Sequence, residues 1–293
     1  MKVIYKENLG IFWLRNVVQC LVKVFRSRNP SALKICAFPD DHIGRNIAIA
    51  GVYEGAGLRA MEWMIEVGII NSPEQSQFID VGANVGMYTL SLAECFEHVA
   101  AFEPHPVTRK VLELNVAING LKNVSVSSYA LSNKSGSATL EDNLNNIGAA
   151  TLEGSGGSNN TYSVETKVAS TAINEIFNDQ SISLIKIDVE GHELKVIEGL
   201  REILMSQKPV IAFEANDPRQ AKELLPLLNE LGYVKFIALD LWPSPPLLVL
   251  KVFLLTLLGV RYALTPIKSL EGKKYSLVFA LDRDAAVRWD ASL

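Results

Sequence analysis

Two short stretches set carboxylates beside glycine turns, a pattern suited to a ligand with hydroxyl and charged groups. The first is Phe78-Ile79-Asp80-Val81-Gly82-Ala83-Asn84-Val85-Gly86-Met87-Tyr88-Thr89. An apolar run ends in an acid, turns through glycines and enters helical spacing, so it reads as strand, tight turn and helix start. Glycine lets a ligand approach the backbone with no Cβ in the way. A helix start offers unpaired N–H groups to a negative ligand group. Taken singly, the turn serves ligand binding or packing equally well. The second stretch is Leu184-Ile185-Lys186-Ile187-Asp188-Val189-Glu190-Gly191-His192-Glu193, again a buried strand, an acid, a glycine and a helix start. Between them Val99-Ala100-Ala101-Phe102 closes on Glu103-Pro104. An acid at the tip of a second strand can accept hydrogen bonds from two ribose hydroxyls; a solvated strand-end acid is the plainer reading.

If the chemistry removes a proton from a hydroxyl, the candidate bases are Asp188, Glu190, His192, Glu193 and Glu214. Asp188 and Glu214 end neighbouring strands, so they can face one crevice. Asp188 also suits a helix N-terminus, where the dipole favours an acid. Glu190 and Glu193 fall in a first helical turn, where acids are favoured anyway. His192 titrates near neutrality and is the best-tuned base if it faces the crevice. His105 reads as a loop residue. Tyr53 and Glu54 are surface loop residues or a cap on the site from its N-terminal side.

These residues need a scaffold of strand tips. Residues 78–81, 99–102, 124–126, 164–168, 184–187, 210–213, 234–239 and 275–281 read as strands. Helical spacing fills 58–67, the segment after Gly86, a face of Val107, Val111, Leu114 and Ile118 closed by Gly120, then 171–177, a face of Leu194, Ile197, Leu200 and Leu204, and 218–231 with Pro226 inside. Strands alternating with helices predict an α/β fold: a Rossmann-like, doubly wound, mostly parallel seven-stranded sheet covered on both faces. The 293 residues are 48% hydrophobic and 20% charged, an ordinary globular balance. A net charge of −4 gives no basic footprint for nucleic acid. Cys20, Cys36 and Cys95 lack metal-ligand spacing and read as reduced, buried thiols of a cytoplasmic protein; no metal is expected.

In this order, Phe-Ile-Asp-Val-Gly-Ala-Asn-Val-Gly at 78–86, Phe-Glu-Pro-His-Pro at 102–106, Ala-Leu-Ser-Asn at 130–133 and Ile-Lys-Ile-Asp-Val-Glu-Gly-His-Glu at 185–193 resemble the FkbM-type methyltransferases. Gly51-Val52-Tyr53-Glu54 and Phe213-Glu214 sit where that family has comparable segments, and the likeness covers about residues 40–240. The resemblance implies S-adenosyl-L-methionine as cofactor and transfer of its methyl group. It implies that Asp80, Gly82, Ala83, Asn84 and Gly86, followed by Thr89, surround the methionine part. Glu103, followed by Pro104, would hold the ribose, Ala130 and Leu131 border the adenine, and Asp188 lie beside the transferring methyl. Tyr53 and Glu54 join the cofactor set, and Asp188, Glu190, His192 and Glu214 the catalytic one. No fixed role passes to His192.

The expected division is an N-terminal helical extension, 1–72, packed on a methyltransferase domain, 73–293, with a flexible loop at 142–163 and an apolar insertion at 241–270. Residues 9–26 carry Leu14, Val17, Val18, Leu21 and Phe25 on one helical face. Residues 247–258 are strongly apolar but shorter than the roughly 20 residues that span a bilayer. Both segments read as packing or homo-oligomer contacts, or as a peripheral membrane dock at the inner face of a membrane. The expected reaction is O-methylation of a small-molecule or glycan acceptor: a saccharide, glycolipid or natural product. The alternatives are a dinucleotide-dependent oxidoreductase, weakened because Gly-Ala-Asn-Val-Gly lacks G-x-G-x-x-G spacing, and a non-catalytic membrane-peripheral protein that keeps the fold.

Overall fold

The computed structural model describes residues 33–38, 42–50, 53–71, 73–143, 146–152, 160–178, 180–216, 220–242, 261–270 and 273–293. The segments 9–26 and 247–258, and Cys20, lie outside them. The described strands, in chain order, are β1 (Gln77–Val81), β2 (His98–Phe102), β3 (Val124–Ser127), β4 (Ala130–Ser132), β5 (Gly136–Asn143), β6 (Asn146–Thr151), β7 (Thr161–Val168), β8 (Ile182–Ile187), β9 (Val210–Ala215), β10 (Lys235–Trp242), β11 (Arg261–Ile267) and β12 (Tyr275–Leu281). The helices are α1 (His42–Ala50), α2 (Gly55–Glu66), α3 (Met87–Leu92), α4 (Pro106–Ile118), α5 (Ala169–Phe177), α6 (Glu193–Gly199), α7 (Arg201–Ser206), α8 (Ala221–Glu230) and α9 (Arg283–Ser292).

The main sheet runs β11-β10-β12-β9-β8-β1-β2-β3. Strands β3, β2, β1, β8 and β9 run parallel to one another. Strand β12 lies antiparallel between β9 and β10. This is the expected Rossmann-like α/β sheet with eight strands in place of seven. The extra strand, β11, pairs antiparallel with β10 at the edge. It carries Pro266, which demotes a strand reading in sequence but is tolerated on an edge strand. The central strands are apolar along their length because both faces are covered: Ile79, Ile185, Ile211 and Phe213 are fully buried on one side, with Phe78, Leu184, Ala212 and Phe279 in the cluster on the other.

Residues 142–163 were expected to be a loop. Among them β6, the end of β5 and the start of β7 belong to a second sheet, β4-β7-β5-β6. The expected strand at 164–168 is the end of β7 in that same sheet. Ala130, Leu140 and Val164 give it a small core, with Ala150, Leu152 and Tyr162 packed around them, enough apolar area to order a segment whose composition reads as turns.

Two further corrections concern packing. Val107 and Leu114 are exposed, and α4 instead buries Thr108, Leu112 and Asn115. Asn115 explains the rotation: its side chain donates to the carbonyls of Cys36 and Val85 and accepts from the Cys36 N–H, so a buried polar residue clamps the 33–38 segment against α4. Gly120 ends that helix as expected, at φ 67°, with Leu121 N–H bonded to Val116 O. Cys36 is exposed and Cys95 half-buried, so neither is the buried thiol expected. Before β1, α1 and α2 bury Ile43, Ile47, Leu58, Met61 and Met64 in the same cluster as Phe78 and Phe279.

Candidate active site

The cleft opens at the carboxyl ends of β1, β2 and β8. Strand β1 has β2 on one side and β8 on the other, so chain order reverses there, the place where open α/β sheets bind ligands. At the seam the Asp188 N–H donates to Val81 O at 3.0 Å. Gly82, at φ 75°, has a packing reason of its own: a Cβ there would meet Asp188 O at 1.8 Å. Gly86, at φ 94°, starts α3 and leaves room for Leu112.

On the β2 wall, Glu103 is 7% exposed. One carboxylate oxygen accepts the Asn84 N–H at 2.8 Å and the other the His105 N–H at 2.9 Å. Burial raises its pKa to about 7, with those two hydrogen bonds opposing. Each carboxylate oxygen keeps a second lone pair, so the group can still accept from a ligand diol. His105 lies in the β2–α4 loop, as expected, but is not solvent-facing. It is buried, caps α4 by accepting the Thr108 N–H at Nδ1, and sets Nε2 2.9 Å from Asp142 Oδ1.

The β8 wall is charged. Lys186 sits opposite Asp80 in the strand register. Its Nζ lies 3.2 Å from Asp188 Oδ2, 3.8 Å from Asp80 Oδ1 and 4.7 Å from the centre of the Tyr88 ring. Burial works against this ammonium, but Asp188, Asp80 and Glu54 outweigh it and hold its pKa above the usual lysine range. Asp80 is wholly buried and accepts the Thr89 N–H at 3.1 Å and the Thr89 hydroxyl at 2.6 Å. Burial pushes its carboxyl up, against the pull of Lys186 and Thr89.

Acidic groups crowd the mouth. Oxygens of Asp188, Glu190 and Glu214 lie within 4.8 Å of one another. Glu190 is exposed at the mouth, and desolvation of its carboxyl there, then Asp188 and Glu193, raise it to about 7. Burial, then Asp188 and Glu190, raise Glu214 further. Glu214 also accepts from the Asn216 side chain. Burial, then Asp188, raise Glu54. Glu193 turns away to accept the N–H groups of Val189 and Gly191. His192 is buried, with Nε2 3.0 Å from Ser132 Oγ. Glu54, Asn84 and Glu190 hold φ near +50° without being glycine, a strained conformation that clusters at functional sites, and all three line the cleft.

Of the residues singled out in sequence, Tyr53, Glu54, Gly82, Ala83, Asn84, Glu103, Pro104, Ala130, Leu131, Asp188, Glu190 and His192 line the cleft. Asp80, Gly86 and Thr89 stand behind its lining, and Glu214 lies beside it, against Asp188 and Glu190. Lys186, Tyr88, Tyr129, Leu140, Ala150 and Leu152 line it as well and were missed. Lys186 carried a signal, a charge inside a buried apolar strand. Leu140, Ala150 and Leu152 carried none, because only the second sheet brings them there. The cleft holds about 1000 Å³ of empty space, its open mouth and the solvent in it included.

Sequence comparison finds a 29% identical match over 165 residues to methyltransferase sdnD of Sordaria araneosa, covering 46% of this chain and 64% of that protein. The hexuronic acid methyltransferase AglP of Haloferax volcanii is 30% identical over 178 residues, covering 57% of this chain and 69% of that protein. The chain thus spans less than two thirds of the length of the first of these relatives. The crystal structure of methyltransferase FkbM from Methylobacillus flagellatus matches with a TM-score of 0.43 and 14% identity, covering 94% of this chain and 61% of that one. The family model for the methyltransferase FkbM domain matches residues 80–235. Since that match takes in over half of the chain and the tips of β1, β2, β8 and β9, the chain belongs to the FkbM methyltransferase domain family, in which S-adenosyl-L-methionine is the methyl donor.

Proposed function

We propose that this chain is an S-adenosyl-L-methionine-dependent O-methyltransferase acting on a hydroxyl of a saccharide, glycolipid or natural-product acceptor. The observation that carries the reading is the pairing, across one cleft, of a buried diol acceptor at Glu103 with a cluster of carboxylates at Asp188, Glu190 and Glu214. The residues fit the cofactor. Glu103 keeps free lone pairs for the ribose hydroxyls. Tyr129, Ala130, Leu131, Leu140 and Leu152 offer apolar surface to a base. The acidic floor suits a cationic donor. When bound, the cofactor supplies an electrophilic methyl on a good leaving group. What the chain must add is alignment, worth several kcal/mol in oriented reactions, and a base for the acceptor proton.

Glu190 is the base in this reading. Its carboxyl lies on the cleft wall, and a pKa of about 7 matches the working pH at which a general base is most effective. His192 is held by Ser132, and Asp188 by Lys186. The saccharide class draws support from AglP, named for hexuronic acid methylation.

The test is methyl transfer to a panel of saccharides, beside calorimetry with S-adenosylmethionine. Glu190→Gln should lower turnover about 100-fold, in the range for a general base, and keep cofactor affinity. Wild-type activity should rise with pH through about 7, and the variant should lose that limb. Glu103→Ala should abolish cofactor binding. Full activity in Glu190→Gln would remove it as the base; cofactor binding unchanged in Glu103→Ala would overturn the cofactor assignment.

A further inference from the structure

The small sheet does more than cover the cleft: it touches both walls. At one end the Thr151 hydroxyl donates to Glu190 O at 2.8 Å. At the other, Asp142 approaches the His105 ring. Leu140 and Asp142 are two residues apart on β5, so both point to the same face, and both are buried. Leu140 lines the cleft while Asp142 reaches past it to His105. Strand register between β5 and β6 breaks between Glu141 and Asn143, an irregularity of the kind that re-aims a side chain. On β7, Tyr162 faces Leu140 in the register and sets its ring edge-on to His105, centroids 4.7 Å apart.

His105 is therefore a junction. Its N–H holds Glu103 Oε1. Its Nδ1 accepts the Thr108 N–H at 3.1 Å, which requires that nitrogen to be unprotonated. The ring proton must then sit on Nε2, facing the Asp142 carboxylate. One residue thus links the ribose-side acid through its backbone N–H, and the start of α4 and the roof sheet through its imidazole.

We propose that His105 and Asp142 are positioning residues that latch the small sheet over the nucleoside end of the cofactor and hold Glu103 in its binding orientation. The proposal rests on the cofactor reading above. Neither group meets reacting atoms; both act through Glu103 and Leu140. Burial lowers the His105 pKa, with Asp142 opposing, which favours the neutral ring.

The experiment measures binding of S-adenosylhomocysteine by calorimetry to the full chain and to three variants. Asp142→Ala should weaken binding about tenfold, the scale of one lost buried carboxylate–imidazole contact. Asp142→Asn keeps an acceptor for the ring N–H and should recover most of it. His105→Asn can still cap α4 but cannot reach Asp142, and should resemble Asp142→Ala. Thermal melts run alongside, since a merely structural role would lower the melting temperature while leaving affinity unchanged. The chain has four histidines, so nitrogen-15 NMR can assign the His105 ring. It should show the Nε2–H tautomer from pH 6 to 8 in the wild type, and a shifted Nε2 resonance in Asp142→Ala, where the facing carboxylate is gone. If the wild type binds and all three variants bind equally, the latch is overturned. If His105 carries its proton on Nδ1, the latch is overturned too. If the wild type itself does not bind, it is the cofactor reading that fails.

Discussion

Lys186 is the residue on which the site's charge balance turns. A buried ammonium has to be compensated, and here Asp80 and Asp188 both lie within 4 Å. Removing one member of a buried ion group leaves the others uncompensated, which costs about 3 to 5 kcal/mol. Lys186→Met should therefore lower the melting temperature by roughly 6 °C or more. Adding Asp80→Asn should recover part of that loss, because the second change removes a charge the first left alone. A single variant as stable as the wild type would show that the lysine is not the counter-charge. The same residue shows how much of the site can be read from residue types. The acids at strand tips, Asp80, Glu103 and Asp188, stood out by position. Their partners did not, because Lys186 belongs with Asp80 only once β1 and β8 are paired, and Asp142 meets His105 only once a second sheet exists.

At the scale of elements, the glycine turns separate two roles that look alike in sequence. Gly82 and Gly120 both sit at positive φ, 75° and 67°. A Cβ at Gly120 meets nothing within 4 Å, whereas one at Gly82 meets the Asp188 carbonyl at 1.8 Å. Gly120→Ala should cost only the left-handed penalty, about 1 to 2 kcal/mol. Gly82→Ala adds displacement of the β8 tip, and should lower stability by more and weaken cofactor binding as well. Denaturant titration and calorimetry on the pair read both effects; equal losses would mean that the β1–β8 seam yields freely. The parallel core was legible because β1, β8 and β9 are apolar along their length, and it placed the strand tips. What escaped was long-range: β11, masked by Pro266, the small sheet, whose strands are stabilised by one another, and the α4 face, which turns to bury Asn115 rather than Leu114.

Across the whole molecule, the described residues include no helix long and apolar enough to cross a membrane, and the collective feature is the set of cleft carboxyls whose pKa values burial raises above their ordinary range. Glu103 and Glu190 both stand at about 7, and Asp80, Glu54, Glu193 and Glu214 are raised with them. A raised carboxyl keeps its proton in the folded state after the unfolded chain has lost it. Between the unfolded value of 4.5 and about 7 the folded state binds more protons at Glu103 and Glu190, so the stability they contribute falls as pH rises and levels off above, while Glu214, raised to about 10, extends the fall. For Glu103 alone the fall across that window is on the order of 3 kcal/mol. His105 works the other way, since its lowered pKa adds stability as pH rises toward its ordinary value, but it is one group against several. Lys186, raised above the lysine range, keeps its charge throughout this window. The cofactor-free protein should therefore melt several degrees higher at about pH 5.5 than at pH 8. Glu103→Gln should flatten the slope, because its side chain no longer titrates. Melting curves at constant ionic strength from pH 5 to 8.5 decide it: a melting temperature that climbs across the window would mean that the cleft carboxyls are already ionised in the folded protein, and that its acidic floor is a fully charged surface waiting for a cation.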